Sequence, residues 1–261
     1  MTYCLAIKVD KGIVFCSDSR TNAGVDDVRT YSKMHVTSWP GARSFTLLSS
    51  GNLATTQAVV KKLRGDTKDG LTPNLLTVTS MREAADYIGL ISAQVQQQQT
   101  LRDPTGTGYE ASFIFGGQIQ KSAPKLFLIY PQGNYIHESP EHPFLQIGEV
   151  KYGKPILDRI VRHDTTLERA ARCALVSMNS TSRSNVTVGP PIELHIYETD
   201  SLAEGRRLNL TEDDPFASEI SEKWNEGLLL ALQNLPRFPW EGRDAMPGDA
   251  QVYPFPGHPA S

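Results

Sequence analysis

The sequence predicts an α+β fold, a four-layer α/β/β/α sandwich, and three observations lead there. Strand-like runs and helix pairs alternate in blocks along the first two hundred residues. The strand runs show period-2 patterning and are separated by tight turns, and the helices come as consecutive pairs with their own start signals. Two sheets packed face to face, each covered outside by a helix pair, bury all of these apolar faces at once.

Taken in order, Tyr3, Leu5, Ile7 and Val9 alternate with Cys4, Ala6 and Lys8, and Asp10-Lys11-Gly12 turns the chain into Ile13-Val14-Phe15-Cys16, the pattern of a β-hairpin. Antiparallel pairing about that turn returns Ser17 and Asp18 to the start of the first strand, beside Thr2. Lys33 opens a further run to Thr37, stopped by Pro40-Gly41, and pairing of that run next to the hairpin would bring its ammonium near Thr2. Residues 44–48 form another strand, ending in Ser49-Ser50-Gly51-Asn52 before a helix over 52–63. The helix over 80–101 opens with the capping box Ser80-Met81-Arg82-Glu83 and carries Ala84, Ile88, Ile91 and Val95 on one stripe. Strands follow at 111–116, 125–130 and 143–148, with Pro131-Gln132-Gly133-Asn134 as a hairpin turn. A second helix pair covers 153–162 and 166–178, the latter behind the box Thr165-Thr166-Leu167-Glu168, and an alternating strand runs from Ile192 to Tyr197. After a strand near 206–210, Thr211-Glu212-Asp213-Asp214-Pro215 starts a helix near 216–234 with Ile220, Trp224, Leu228 and Leu232 on one face. Residues 1–236 read as one domain. Residues 237–261, rich in proline and carrying Trp240, Tyr253 and Phe255, read as an extended tail docked on a neighbour.

The chemistry begins at Thr2. Removal of Met1 leaves a residue with its own nucleophile, the hydroxyl, and its own base, an α-amine of ordinary pKa about 8. A small second residue permits that removal. A Met-Thr start and a nearby Asp are also common in proteins without such chemistry, and a lysine at a strand start is ordinarily a surface residue. If Lys33 lies beside the hairpin, its ammonium favours the ionised Thr2 hydroxyl and Asp18 becomes its counterion. Gly51, at a strand-to-helix junction, lets a backbone N–H approach developing negative charge and is the oxyanion candidate.

These pieces, Thr2, the run Gly12-Ile13-Val14-Phe15-Cys16-Ser17-Asp18-Ser19-Arg20, Ala23-Gly24, Lys33 and Ser50-Gly51, resemble the proteasome β-subunit pattern of the N-terminal-nucleophile hydrolases over most of residues 2–200. The wording Ile147-Gly148-Glu149-Val150-Lys151-Tyr152-Gly153-Lys154-Pro155 and Val188-Gly189-Pro190-Pro191-Ile192 is most similar to the bacterial Anbu (ancestral β-subunit) family within it. The resemblance implies a threonine-type peptidase or amidase using Thr2, Asp18 and Lys33, a peptide or amide substrate, no cofactor, and self-association into a ring or helical homo-oligomer. It also exposes a departure. Where proteasome β-subunits carry a serine and an aspartate near the nucleophile, this chain aligns Glu149 and Asn185. A carboxylate there favours the protonated amine and weakens it as a base, so a catalytically weak or silent scaffold is the second expectation. For Glu149 an ion pair with Lys33, Lys151 or a neighbouring subunit is an equally good reading.

Gly148 to Lys154 also spells GxxxxGK, the phosphate-cradling spacing, but Pro155 stands where a magnesium-ligating Ser or Thr belongs, which argues against nucleotide binding. A net charge of −3 suggests no nucleic-acid partner, and no apolar run approaches a membrane span. The histidines show no metal-ligand spacing. Cys4, Cys16 and Cys173 form no CxxC pair, and with no secretion signal they point to reduced thiols and a cytoplasmic setting.

Overall fold

The hairpin forms as patterned: β1 (Tyr3–Val9) pairs antiparallel with β2 (Gly12–Asp18), with Cys4 opposite Ser17. The computed structural model describes residues 1–22, 28–103, 108–238 and 240–241, and divides into two compact units, Met1–Glu222 and Lys223–Ser261. In the first unit β3 (Arg20–Asn22) and β4 (Val28–Thr30) make a small two-stranded sheet, followed by β5 (Met34–Trp39) and β6 (Arg43–Gly51). Helices α1 (Leu53–Lys68) and α2 (Met81–Arg102) lead into β7 (Ala111–Ile119), β8 (Lys125–Ile129), β9 (Tyr135–His137) and β10 (Phe144–Gly148). Then come α3 (Lys154–Ile160), α4 (Leu167–Ser184), β11 (Ile192–Glu198), β12 (Arg206–Leu210) and α5 (Pro215–Gln233).

One five-stranded sheet has the order β10-β1-β2-β11-β12 and the other β5-β6-β7-β8-β9. Three apolar layers hold them. Phe15, Leu48, Ile114 and Leu126 pack between the sheets; Val59, Leu63, Ile88 and Phe113 join α1 and α2 to the second sheet; Leu5, Ile7, Leu157 and Ala174 join α3 and α4 to the first. This is the predicted sandwich. Because β1 lies inside it, its second face is buried too: Cys4 and Ala6 meet the opposite sheet, so the alternation separates two apolar layers rather than core from water.

Several expectations need correction. The strand following Lys33 does not pair with the hairpin; β5 belongs to the other sheet, and Lys33 approaches across the sandwich. The α4 N-cap is Thr166, which accepts from the Arg169 amide at 3.3 Å, while Thr165 instead accepts from Arg162 N–H. Helix α4 continues past Met178 to Ser184, and Thr181, in that added turn, is still buried. At α2 Ser80 caps as expected, but the Glu83 carboxylate bonds Thr79 rather than closing the box on Ser80. In α5 Trp224 is half-buried, whereas Leu228 and Leu232 are exposed together with Leu229 and Leu230. Ala23, Gly24 and residues 242–261, including Tyr253 and Phe255, lie outside the described residues.

Candidate active site

The end of β2 brings Asp18 beneath the start of β1, where its Oδ1 accepts from the Tyr3 amide at 3.0 Å. The same oxygen accepts from Lys33 Nζ at 2.7 Å, and Lys33 also donates to the Arg20 carbonyl at 2.7 Å. A longer contact from the Gly189 amide, 3.4 Å, reaches Oδ2. Asp18 is fully buried and Lys33 nearly so. Burial pushes the Asp18 carboxyl above the ordinary carboxylate range, while the Lys33 ammonium and the Tyr3 and Gly189 amides pull it back. A pair this deep is costly to desolvate, so its value lies in having every polar atom engaged.

Thr2 is fixed through its backbone: its carbonyl accepts from the Glu149 amide at 2.7 Å. Gly148, at the end of β10 with φ +83°, makes that possible, since a Cβ there would lie 1.9 Å from the Thr2 oxygen. The amino group, carried here by Met1, is held below its ordinary value by burial first and by Lys33 next, against the opposing pull of Asp18 and Glu149. All three charges therefore act on the point where the chain begins.

Gly51 closes β6 with φ +113°, and a Cβ would lie 2.3 Å from the Glu110 carbonyl, so close backbone approach already requires a glycine. It lines a cleft of about 610 Å³ together with Thr2, Lys33, Ser50 and Gly148. Arg20, Thr21, Tyr31 and His35 also line it, with Leu53, Thr56 and Gln57 from the start of α1. Burial, with a contribution from Arg64, pushes the His35 imidazole down to about 4, so it is neutral at pH 7.

Glu149 and Asn185 do meet. Asn185 Nδ2 donates to Glu149 Oε2 at 3.0 Å, and the Asn185 oxygen is occupied by the Thr187 amide and hydroxyl, which fixes the amide's orientation. Lys151 lies 3.4 Å from Glu149 Oε1, so of the proposed ion-pair partners Lys151 takes the carboxylate and Lys33 goes to Asp18. The GxxxxGK lysine, Lys154, pairs with Asp158 one turn along α3 at 2.7 Å. The contributions of the Gly189 amide and the Arg20 carbonyl were not anticipated, because backbone groups carry no residue signature. His35 and Gln57 lacked a signal for another reason: neither spacing nor periodicity marks them.

Among the described residues there is no cluster of His, Cys, Asp or Glu suited to a metal, and no helix is long and apolar enough to cross a membrane. Cys4, Cys16 and Cys173 are unpaired and buried.

Fold and site together define a chain of the proteasome subunit family, and this protein belongs to it: the family model for the proteasome subunit matches residues 2–197. The solved structures to which it is similar include Anbu proteins. It is similar to Anbu (ancestral β-subunit) from Yersinia bercovieri, with 44% identity, 91% of this chain and 98% of that chain covered, and a TM-score of 0.85. The helical assembly of the Anbu complex from Pseudomonas aeruginosa matches at 44% identity over 92% and 99% of the two chains, TM-score 0.88. Anbu from Hyphomicrobium sp. strain MC1 matches at 42% identity over 91% and 99%, TM-score 0.82. A comparison with curated proteins returned no match.

Proposed function

We propose that the protein is a threonine-type peptidase or amide hydrolase whose nucleophile, Thr2, is exposed by removal of Met1, and which acts in a large homo-oligomer. The observation that carries this reading is the buried Asp18–Lys33 pair at 2.7 Å, anchored to the Tyr3 amide at the start of β1, with Lys33 lining the cleft. In this mechanism the Thr2 Oγ attacks a substrate carbonyl and the freed α-amine takes its proton, directly or through water. Lys33 stabilises the oxygen's negative charge, Asp18 orients and balances Lys33, and the Gly51 amide faces the oxyanion. The amine then returns its proton to the departing nitrogen, and water cleaves the resulting ester.

Glu149 bears on how fast this runs. Its carboxylate favours the protonated amine, but Asn185 and Lys151 draw on the same charge and reduce its pull. The second reading, a silent self-assembling scaffold, is supported by that carboxylate and by the exposed leucines of α5. The relative from Pseudomonas aeruginosa is described as a helical assembly, and the exposed Leu228, Leu229, Leu230, Leu232, Leu235, Phe238 and Trp240 give this chain means for the same behaviour.

Cyanate at neutral pH tests the amine's role, because an α-amine reacts ahead of lysines of higher pKa. Turnover is expected to fall in step with carbamylation of Thr2, followed by peptide mapping. Undiminished turnover by fully carbamylated protein would show that the amine is not the base.

A further inference from the structure

Four consecutive glutamines, Gln96 to Gln99, lie in the last turns of α2, and they part by position: Gln97 and Gln98 are exposed, Gln96 is buried and Gln99 half-buried. The buried one stands where two strands of the second sheet come apart. The β7–β8 register ends at Phe113 opposite Ile129, and two residues further it would set Ala111 opposite Pro131. Proline has no N–H to give to a ladder. The Gln96 amide fills the gap instead. Its Oε1 accepts from the Ala111 N–H at 3.2 Å, and its Nε2 donates to the Pro131 carbonyl and to Ser92 Oγ, each at 2.9 Å. Ala111 presents a donor and Pro131 only an acceptor, so the bridging group must carry one acceptor and one donor side by side, as a carboxamide does.

The edge held in this way is the one on which the oxyanion candidate rests. Ala111 stands opposite Gly51, and the Asn52 N–H donates to the Glu110 carbonyl at 2.9 Å. Gly51 lies so close that an added Cβ would come 2.9 Å from the Ala111 Cα. Gln99, about one turn further along α2, takes the Thr55 hydroxyl, which also meets the Tyr109 carbonyl at 2.9 Å. The Asn52 side chain in turn caps α1 by accepting from the Thr55 amide at 3.1 Å. The end of α2 therefore reaches both flanks of the Gly51-Asn52 corner.

We infer that Gln96 is a positioning residue: its amide stands in for the missing ladder bond, fixes the Glu110-Ala111 edge and so sets where the Gly51 amide points, with Gln99 in a lesser share. The inference rests on the hydrolase reading in taking Gly51 as the oxyanion donor. Such a donor acts in the transition state rather than on the bound substrate, so displacing it lowers kcat and leaves KM nearly unchanged.

The test compares Gln96→Met, which keeps the length of the side chain but offers neither donor nor acceptor, with Gln97→Ala and Gln98→Ala, all in the full-length chain. Gln96→Met should lower kcat about 10- to 100-fold with KM held within about twofold, since a misplacement of about 1 Å near the reacting atoms costs up to ~10². Gln99→Met should cost less, and the two exposed positions nothing. A tripeptide aldehyde matched to the peptide that the wild type cleaves forms an adduct with Thr2 that carries the oxyanion; its affinity should fall by the same factor as kcat. The corresponding alcohol, which has no carbonyl, should bind unchanged. Hydrogen exchange over residues 108–113 should show the Ala111 amide opening at least about tenfold faster in Gln96→Met. Unchanged kcat, or equal weakening of aldehyde and alcohol, overturns the positioning role, and unchanged exchange at Ala111 overturns the anchor whether or not the protein turns over substrate. A wild type that hydrolyses nothing ends the hydrolase reading and the catalytic half of the inference with it, while the exchange comparison still decides whether Gln96 holds this edge.

Discussion

Lys33→Ala is expected to lower kcat/KM for any peptide or amide substrate by at least ~10³, to within about tenfold of the Thr2→Ala background. The side chain is held by Asp18 and the Arg20 carbonyl, and both contacts disappear with it. Asp18→Ala is expected to damage the fold as well. It strands a buried ammonium and leaves the Tyr3 and Gly189 amides without their acceptor, and breaking a buried pair from one side costs ~3–5 kcal/mol. That is a large share of the ~5–15 kcal/mol that holds a typical domain together, so denaturant midpoints should fall sharply. The double variant Asp18→Leu/Lys33→Met separates the two roles, because replacing both charges with apolar groups recovers much of the stability and none of the activity. Wild-type rates in Lys33→Ala would show that this lysine is not part of the chemistry.

The second large effect concerns assembly. Leu228, Leu229, Leu230, Leu232 and Leu235 are each at least half exposed, and Phe238 and Trp240 stack at 4.9 Å in the same unit. Burying a leucine against a partner contributes roughly 1.5–3 kcal/mol, so several together supply what a subunit contact needs. The full chain should run in mass-resolved sizing as a particle many times the 28.8 kDa of one subunit. Truncation after Pro236 should move it to smaller species, and Leu229→Glu/Leu232→Glu should move it further by placing charge in the apolar contact. A full-length monomer at micromolar concentration would end the assembly reading, and a truncated chain that assembles unchanged would assign the tail another role.

Local pattern carried much of this architecture. The alternation of residues 3–9 and the Asp10-Lys11-Gly12 turn were enough to place Asp18 at the start of β1, because antiparallel register follows from the turn. The sheet to which β5 belongs was not legible, since strand pairing between distant segments leaves no mark in either segment alone. Lys33 nonetheless reaches Asp18, as its long side chain spans the gap between the sheets. The one-residue error at Thr165 and Thr166 arose because either threonine can cap, and Thr165 was drawn into the preceding turn by Arg162. Glu149 and Asn185 became candidates only through the family resemblance, and their mutual hydrogen bond is a product of tertiary structure. Arg20 was present in the Ser17-Asp18-Ser19-Arg20 motif, but the bond from its side chain to the Val186 carbonyl joins distant segments, which the sequence does not announce.

The central claim is that Thr2 carries both nucleophile and base, and a peptide epoxyketone probes both at once. Its ketone accepts the threonine Oγ and its epoxide is opened by the α-amine of the same residue, closing a ring that needs a free N-terminus. Intact mass after incubation should show a chain lacking Met1 with a single adduct, mapped to Thr2 by fragmentation and absent from Thr2→Ala. A chain that retains Met1, or one that loses it and still forms no adduct at Thr2, would contradict the account.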